Sequence, residues 1–292
     1  MFNVETIPPA RFDAVADLLV EANDAPYALQ NVIQEKLRRP GFRGQAEVLG
    51  ISESSQLSGA ILRCGRFIRL IGVARAARRK GIGTALLHEA ERRARGEANL
   101  VIGAEPGNYF TPGVWTGSSG TIAFFESSGY APIADAANMR ADLTALTTDP
   151  DSQSPIGIRR PRMEERARVA EYVAGTFGKI WSFEADFAFE HPSPSIFIAE
   201  DDGRIVGFSA HLANNAGLPW YGPTGVSSSA RGRGWGRGLL LASLGDLQVR
   251  GFNEAIIAWA AAHDFYTSIA GARVAERFVI FEKNFAPDRG ER

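Results

Sequence analysis

One stretch of this chain occurs twice, and the duplication limits what it can fold into. Residues Val73 to Leu87 read VARAARRKGIGTALL, and residues Val226 to Leu240 read VSSSARGRGWGRGLL. Aligned without gaps, both give an apolar strand end, an Arg-x-x-Gly-x-Gly turn and an apolar helical run. Arg78, Gly81 and Gly83 stand against Arg231, Gly234 and Gly236, 153 positions later. Ile7-Pro8 and Arg160-Pro161 keep the same offset, each Pro closing a short alternating run, Asn3–Ile7 or Ile156–Arg160. A charged, helix-periodic stretch follows each Pro, where the missing proline N–H costs nothing. Self-similarity at this spacing predicts two copies of one domain, and 292 residues suit two domains of ordinary size. Between Leu146 and Gly157 the chain is polar and unperiodic, with two prolines. This predicts a linker at 147–155 between domains at 1–146 and 156–292.

The periodicity predicts the same order of elements in each half. In the first, a helical region spans Arg11–Leu37 with a break near Asp24-Ala25-Pro26. A hairpin of Gln45–Ser52 and Gln56–Arg63 follows, then strand Arg66–Val73 entering the glycine turn, helix Thr84–Arg95, strand Leu100–Ala104, helix Ile122–Ser127 and a closing strand Met139–Leu143. In the second, the order is helix Arg162–Gly175, strands Ser195–Glu200 and Arg204–His211 around Asp201-Asp202-Gly203, and strand Trp220–Val226. Helix Leu239–Val249, strand Ala255–Ala260, helix Asp264–Ala270 and closing strand Arg277–Lys283 complete it.

A strand that feeds a glycine-rich turn opening a helix is an anion site. Glycine lets backbone N–H groups approach the ligand, and the helix N-terminus is electropositive. The turn lacks the Lys-Ser/Thr ending of a P-loop, and Leu86 and Leu239 stand where a dinucleotide fingerprint has its third glycine. It resembles the pyrophosphate-binding segment of the GNAT superfamily of acyl-CoA N-acyltransferases, (Gln/Arg)-x-x-Gly-x-(Gly/Ala) after the fourth strand. The family's second marker, an aromatic pair followed by a glycine, resembles Phe124-Phe125 with Gly129-Tyr130, and Phe265-Tyr266 with Gly271. The resemblance covers nearly the whole chain as a tandem pair. It implies an α/β fold of two GNAT-like domains, each a mixed, mostly antiparallel sheet flanked by helices and splayed between its fourth and fifth strands.

That resemblance also implies acetyl transfer from acetyl-CoA to a primary amine of a small molecule, such as an amino sugar, by direct attack in a ternary complex. Cofactor contacts fall to Val73, Arg78, Arg79, Lys80, Gly81, Ile82, Gly83 and Thr84 in the first copy. In the second they fall to Val226, Arg231, Gly232, Arg233, Gly234, Trp235, Gly236 and Arg237. The main chain near Val226 is the expected oxyanion donor. Tyr266 matches the position whose phenol protonates the departing thiolate, while Phe125, its counterpart, has no proton to give. The second half is therefore the expected catalytic one and the first a degenerate partner. The plain alternative for Tyr266 is a core ring with its hydroxyl tied to a carbonyl.

Arg78 to Phe124 is 46 positions and Arg231 to Phe265 is 34, an excess of 12 that matches Gly107–Ser118. Asn108, Tyr109 and Trp115 in this insertion are candidates for a substrate pocket, for contact with the other domain, or for pegs holding the loop to its own domain. Glu200, His211, His263 and Asp264 are candidate general bases, of which Glu200 and His211 also stand as candidate substrate contacts. No His/Cys/Asp cluster has metal-ligand spacing. Cys64 is the one cysteine, so no intramolecular disulfide is expected, and its apolar setting reads as packing.

Net charge is −1 and pI about 6.5, which gives no pull toward nucleic acid or membrane. With no signal-peptide pattern or membrane span, the expectation is a cytoplasmic monomer or homodimer. Two other functional readings stand beside transfer. One is a CoA-binding sensor without transfer activity. The other is single-stranded RNA binding through the basic and aromatic RGRGWGR tract at 231–237.

Overall fold

The computed structural model describes residues 2–146 and 157–285; the linker expected at 147–155 lies outside them. In chain order, the first half comprises β1 (Glu5–Thr6), α1 (Phe12–Ala22), α2 (Gln30–Arg38), β2 (Glu47–Glu53), β3 (Gln56–Cys64), β4 (Phe67–Val73), α3 (Ile82–Arg93), β5 (Asn99–Ile102), β6 (Val114–Trp115), α4 (Ser119–Ser127) and β7 (Ala131–Asp142). The second comprises β8 (Ile158–Arg159), α5 (Arg166–Phe177), α6 (Lys179–Asp186), β9 (Ile196–Asp201), β10 (Arg204–His211), β11 (Trp220–Val226), α7 (Trp235–Val249), β12 (Glu254–Ile257), α8 (His263–Ala270) and β13 (Arg273–Asn284).

Two compact units result, one of residues 1–136 with 277–292, the other of residues 137–276. In the first, strands run in the order β1-β2-β3-β4-β5-β13; in the second, β7-β12-β11-β10-β9-β8. All these neighbours are antiparallel except β4 with β5 and β11 with β12, which are parallel. Each unit is thus an α/β domain with a mixed, mostly antiparallel sheet flanked by helices.

The closing strands differ from expectation. Met139–Leu143 was expected to close the first half, yet β7 places Met139 opposite Ile257 and Asp142 opposite Glu254 of the second unit's β12. Arg277–Lys283, expected in the second half, lies in β13 and pairs Phe281 with Ile102 and Lys283 with Leu100 of the first unit's β5. The compact units therefore divide the chain at other places than the expected 1–146 and 156–292. Alternation tells which face of a strand is buried but not which edge it joins. At 12 residues each, β7 and β13 are about twice the usual strand length, so one strand can begin in one unit and end in the other.

Helix α3 buries Ile82, Leu86, Leu87 and Ala90, the i, i+4, i+5, i+8 stripe of an amphipathic helix. They pack with Leu49, Ile61, Leu100, Phe125 and Phe281 to form the first unit's main core. Helix α7 does the same with Leu240, Leu244 and Leu247 against Met139, Tyr221 and Ile257. Sequence periodicity missed α6, a helix of 8 residues separated from α5 only by Gly178 at φ 100°. Cys64 is buried, and burial pushes its thiol up to about 11, which leaves it a packing residue.

Candidate active site

In each unit the parallel pair opens after two residues. Phe67 and Ile68 pair with Val101 and Ile102, and Trp220 and Tyr221 pair with Ile256 and Ile257. Past those points the remainder of β4 and β11 keeps a partner on one side only. Ser227 N donates to Val206 O at 2.8 Å, and Ala74 N donates to Ser58 O at 2.9 Å. Backbone groups alternate sides along a strand, so the N–H and C=O of Val226 and of Val73 face the gap that the departing strand leaves.

The motif arginine reaches the carbonyl of that residue. Arg231 Nε donates to Val226 O at 3.4 Å, and Arg78 Nε to Val73 O at 3.3 Å, with its Nη2 on Ala22 O at 2.8 Å. The arginine therefore ties the turn to the strand end and leaves the Val226 N–H as the donor facing the gap. This tie uses only the Nε of Arg231, so it is compatible with the cofactor contact that the resemblance implies there.

The turns then use left-handed backbone to aim successive N–H groups outward. Gly232 has φ 77° and Gly234 has φ 84°; Gly81 has φ 88°, and Arg79 holds φ 65° where the second copy has glycine. Such alternation makes a backbone nest for an anion at the head of α3 and α7. Arg79 and Arg237 make no ion pair among the described residues, whereas Arg233 is paired with Asp201. The opening side chains, Ile82 and Trp235, are 1% and 5% exposed. That removes the stacking surface an RNA-binding reading of RGRGWGR requires, because the tract's aromatic ring lies in the core. Lys80 lies 4.0 Å from Glu53, and Thr84 is in the first turn of α3.

The second marker lies directly against the turn. A Cβ added at Gly236 would be 3.5 Å from Phe265 Cζ and 3.9 Å from Val226 Cγ2; one at Gly83 would be 3.5 Å from Phe124 Cζ and 3.6 Å from Val73 Cγ2. The first aromatic of the pair thus rests against the helix start beside the strand end. The second aromatic decides the difference between the units. Phe125 is 1% exposed and packs against Tyr130 and Phe281 in the core. The Tyr266 ring meets Tyr221, the last paired residue of β11, edge-on at 6.2 Å. Its hydroxyl has no hydrogen-bond partner among the described residues, so it is not the carbonyl-tied ring of the plain alternative. Burial alone pushes its phenol up, which keeps the proton on at neutral pH.

The other candidate residues are spread elsewhere. Glu200 is held by Arg159 at 2.6 Å and Arg168 at 2.7 Å, which lower its carboxyl. His211 is fully buried with Nε2 2.6 Å from Asp246, and burial lowers its pKa. Neither is poised as a base for an amine. His263 Nε2 bonds Ala260 O at 2.9 Å, and Asp264 lies in the first turn of α8. Asn108 is fully buried; its amide donates to Arg39 O and Pro40 O at 3.0 and 3.1 Å and accepts from Lys36 Nζ at 2.9 Å. Close by, Arg69 forks onto Glu105 at 2.5 and 2.7 Å, and burial lowers Lys36 to about 8. The insertion is pegged by this polar cluster, and Asn108 has no group left for a substrate. Tyr109 is buried as well. Trp115, with Phe110 and Val114, lines a cavity of about 70 Å³ between Leu70 and Ile102, in the first unit's own strand gap. No group of three or more His, Cys, Asp or Glu is placed to hold a metal among the described residues. Among them, no helix is long and apolar enough to cross a membrane.

A family model described as the acetyltransferase (GNAT) family matches residues 161–272, and one described as an acetyltransferase (GNAT) domain matches residues 20–108. The chain is a tandem GNAT-superfamily protein. Solved structures share the fold of these GNAT units. A tandem GNAT protein from the clavulanic acid biosynthesis pathway superposes at TM-score 0.69 and 18% identity, covering 98% of this chain and 100% of that one. A GCN5-related N-acetyltransferase from Sphaerobacter thermophilus gives 0.67 and 20%, covering 98% and 96%. A fungal multi-domain GH3 β-N-acetylglucosaminidase with a GCN5-related glucosamine N-acetyltransferase region gives 0.79 and 18%, covering 97% of this chain but 38% of that one. The chain thus spans well under half of that protein. No curated protein sequence matches it.

Three aromatic side chains of the second GNAT unit were not singled out from sequence: Tyr172, Phe177 and Trp181. A glycine inside a strand marks close approach by another group. Gly225 in YGPTGV was that signal, since a Cβ there would lie 2.5 Å from Phe177 Cε1.

Proposed function

We propose that this GNAT protein moves an acetyl group from acetyl-CoA to a primary amine of a small molecule, an amino sugar or similar, by direct attack in a ternary complex, and that the second unit performs the chemistry. The observation that carries the reading is the unpartnered hydroxyl of Tyr266 beside the open end of β11, in the unit whose glycine turn heads α7. The residues present fit an acyl-CoA. The N–H nest at Gly232–Gly236 suits a pyrophosphate, and the gap beyond Tyr221 leaves β11 with unpaired backbone groups for an extended amide-bearing arm.

Acetyl-CoA, when bound, supplies the thioester. The Val226 N–H donates to the carbonyl oxygen as charge grows there. The amine nitrogen forms its bond to the carbonyl carbon as the carbon–sulfur bond breaks. Tyr266 gives its proton to the leaving sulfur, and the proton lost by the amine passes to solvent and restores the phenol. Glu200 and His211 take no part, because Glu200 is held by two arginines and His211 is fully buried with its Nε2 on Asp246. The fungal relative's glucosamine N-acetyltransferase region supports the amino-sugar class for this chain.

Thiol release from acetyl-CoA, followed across a panel of amines that includes glucosamine, tests the reading. Amine-dependent release with a matching N-acetyl product is expected. CoA binding without release for any amine returns the protein to the sensor reading.

A further inference from the structure

The two residues that flank Val226 are both covered from the α5–α6 side. Phe177 rests on Gly225, close enough that any side chain there would collide with its ring. Tyr172 OH lies 2.7 Å from Ser227 Oγ. Gly178 breaks the helix directly after Phe177, and one turn later Trp181 stacks on Phe177 with centroids 5.5 Å apart and planes at 22°. Phe208 backs both rings at 5.4 and 6.3 Å and is itself fully buried. Trp181 is nevertheless 39% exposed. The Trp181 indole is thus partly open to solvent on half-buried Phe177 and buried Phe208, and Phe177 in turn meets Tyr172 edge-on at 6.0 Å and rests on Gly225, next to Val226.

We propose that Trp181 is the platform on which the ring of a hexosamine acceptor stacks, with the Tyr172–Ser227 hydroxyl pair meeting its hydroxyl rim; this rests on the reading that the second unit is the transferring one. A pyranose has one apolar C–H face and a polar edge, the complement of an exposed indole beside two hydroxyls. A polyamine would need free carboxylates instead. Of those near α5, Asp186 is paired with Arg166, and Glu165 and Glu200 with Arg159 and Arg168, while Glu164 and Glu171 are exposed and make no ion pair among the described residues. The first unit has no such surface at the matching positions. Leu19 and Ala22 cover Gly72 there, and Ala74 stands where the second unit has Ser227.

The test uses the full-length protein with CoA present, titrated calorimetrically with glucosamine, together with acetyl-transfer kinetics. Trp181→Ala is expected to raise both the Kd and the KM for glucosamine by about tenfold, leaving kcat and CoA affinity nearly unchanged. Trp181→Phe is expected to recover most of the loss. Equal glucosamine binding by wild type and Trp181→Ala overturns the platform, whatever the turnover. So does a wild type that binds no glucosamine, and if that protein acetylates an unbranched alkylamine, transfer itself stands. Glucosamine binding that depends on Trp181 without any acetyl transfer upholds the platform and overturns the catalytic reading.

Discussion

The gap beside β4 and the gap beside β11 begin from the same backbone and end as different environments. Both follow a two-residue parallel ladder, and both have a valine facing the opening with an arginine on its carbonyl. In both, a Cβ added at the second motif glycine would lie 3.5 Å from a phenylalanine ring. The surroundings then diverge. In the first unit Leu19 and Ala22 close over Gly72, the insertion supplies Phe110 and Trp115, and a cavity of about 70 Å³ remains. That is far below the roughly 300 Å³ at which ligand pockets begin. In the second unit the cover is aromatic and partly exposed, Ser227 adds a hydroxyl, and Tyr266 replaces the core ring Phe125. What the repeat retains is the turn that holds its own geometry. What differs is the cover beside the valine and the second aromatic of the pair.

The largest expected effect breaks this comparison at one atom. Tyr266→Phe should lower kcat by about 10²–10⁴-fold with little change in either KM, because the missing proton matters only as the thiolate leaves. Circular dichroism checks that the fold is kept. Phe125→Tyr should not install activity in the first unit, since its ring is packed against Phe281 and Tyr130. Activity that survives Tyr266→Phe and disappears when the first turn is blocked would move the chemistry to the first unit.

Next in size is the turn itself. Gly236→Trp drives an indole into Phe265 and Val226 and should weaken CoA binding by about tenfold or more. Gly83→Trp meets the same crowding from Phe124 but should leave turnover within about twofold, a change under roughly 0.5 kcal/mol. Calorimetry with CoA and steady-state kinetics on both variants give the ratio. Equal losses of turnover would mean that the two units share the work.

Much of this was legible in the residues. The register of the repeat located both turns and both aromatic pairs. The exchange of β7 and β13 was not legible, because both closing strands alternate equally well for either edge. Asn108 looked like a loop polar group available to a substrate. It is committed to Lys36 and to two carbonyls through contacts about 70 positions away in sequence. For the arginines of the motif, sequence shows their charge but not the strand carbonyls within their reach.

A smaller effect separates stability from activity in the first unit. Asn108→Ala leaves the carbonyls of Arg39 and Pro40 without these donors and takes one acceptor from buried Lys36. It should cost about 1–3 kcal/mol of stability, read as a lower urea midpoint, with kcat and both KM values unchanged. A raised amine KM in a stably folded variant would return the insertion to the substrate site.

The smallest effect concerns acid, and the units should differ in where it begins. Glu89 in the first unit is held down to about 2 by Arg92 and Arg93, and Glu165 in the second to about 2 by Arg159 and the Arg162 amide. A carboxylate depressed on folding stabilises above its unfolded pKa, near 4.3, and that contribution is lost as pH falls toward 2. Both units should therefore weaken in that window. The second has His211 in addition. Burial lowers the His211 pKa despite the attraction of Asp246, with Arg250 and Arg160 pushing in the same direction as burial. The unfolded chain then takes up a proton near pH 6.5 more readily than the folded one, so the second unit is fully stable above that pH and starts to weaken below it. Four of the five tryptophans, Trp181, Trp220, Trp235 and Trp259, lie in the second unit, so their fluorescence mostly follows its unfolding. The urea midpoint should fall between pH 7 and pH 5.5 in the wild type and stay level in His211→Leu, where Asp246 keeps Arg160 and Arg250. A midpoint that falls equally in both proteins would mean that His211 is not the group being protonated.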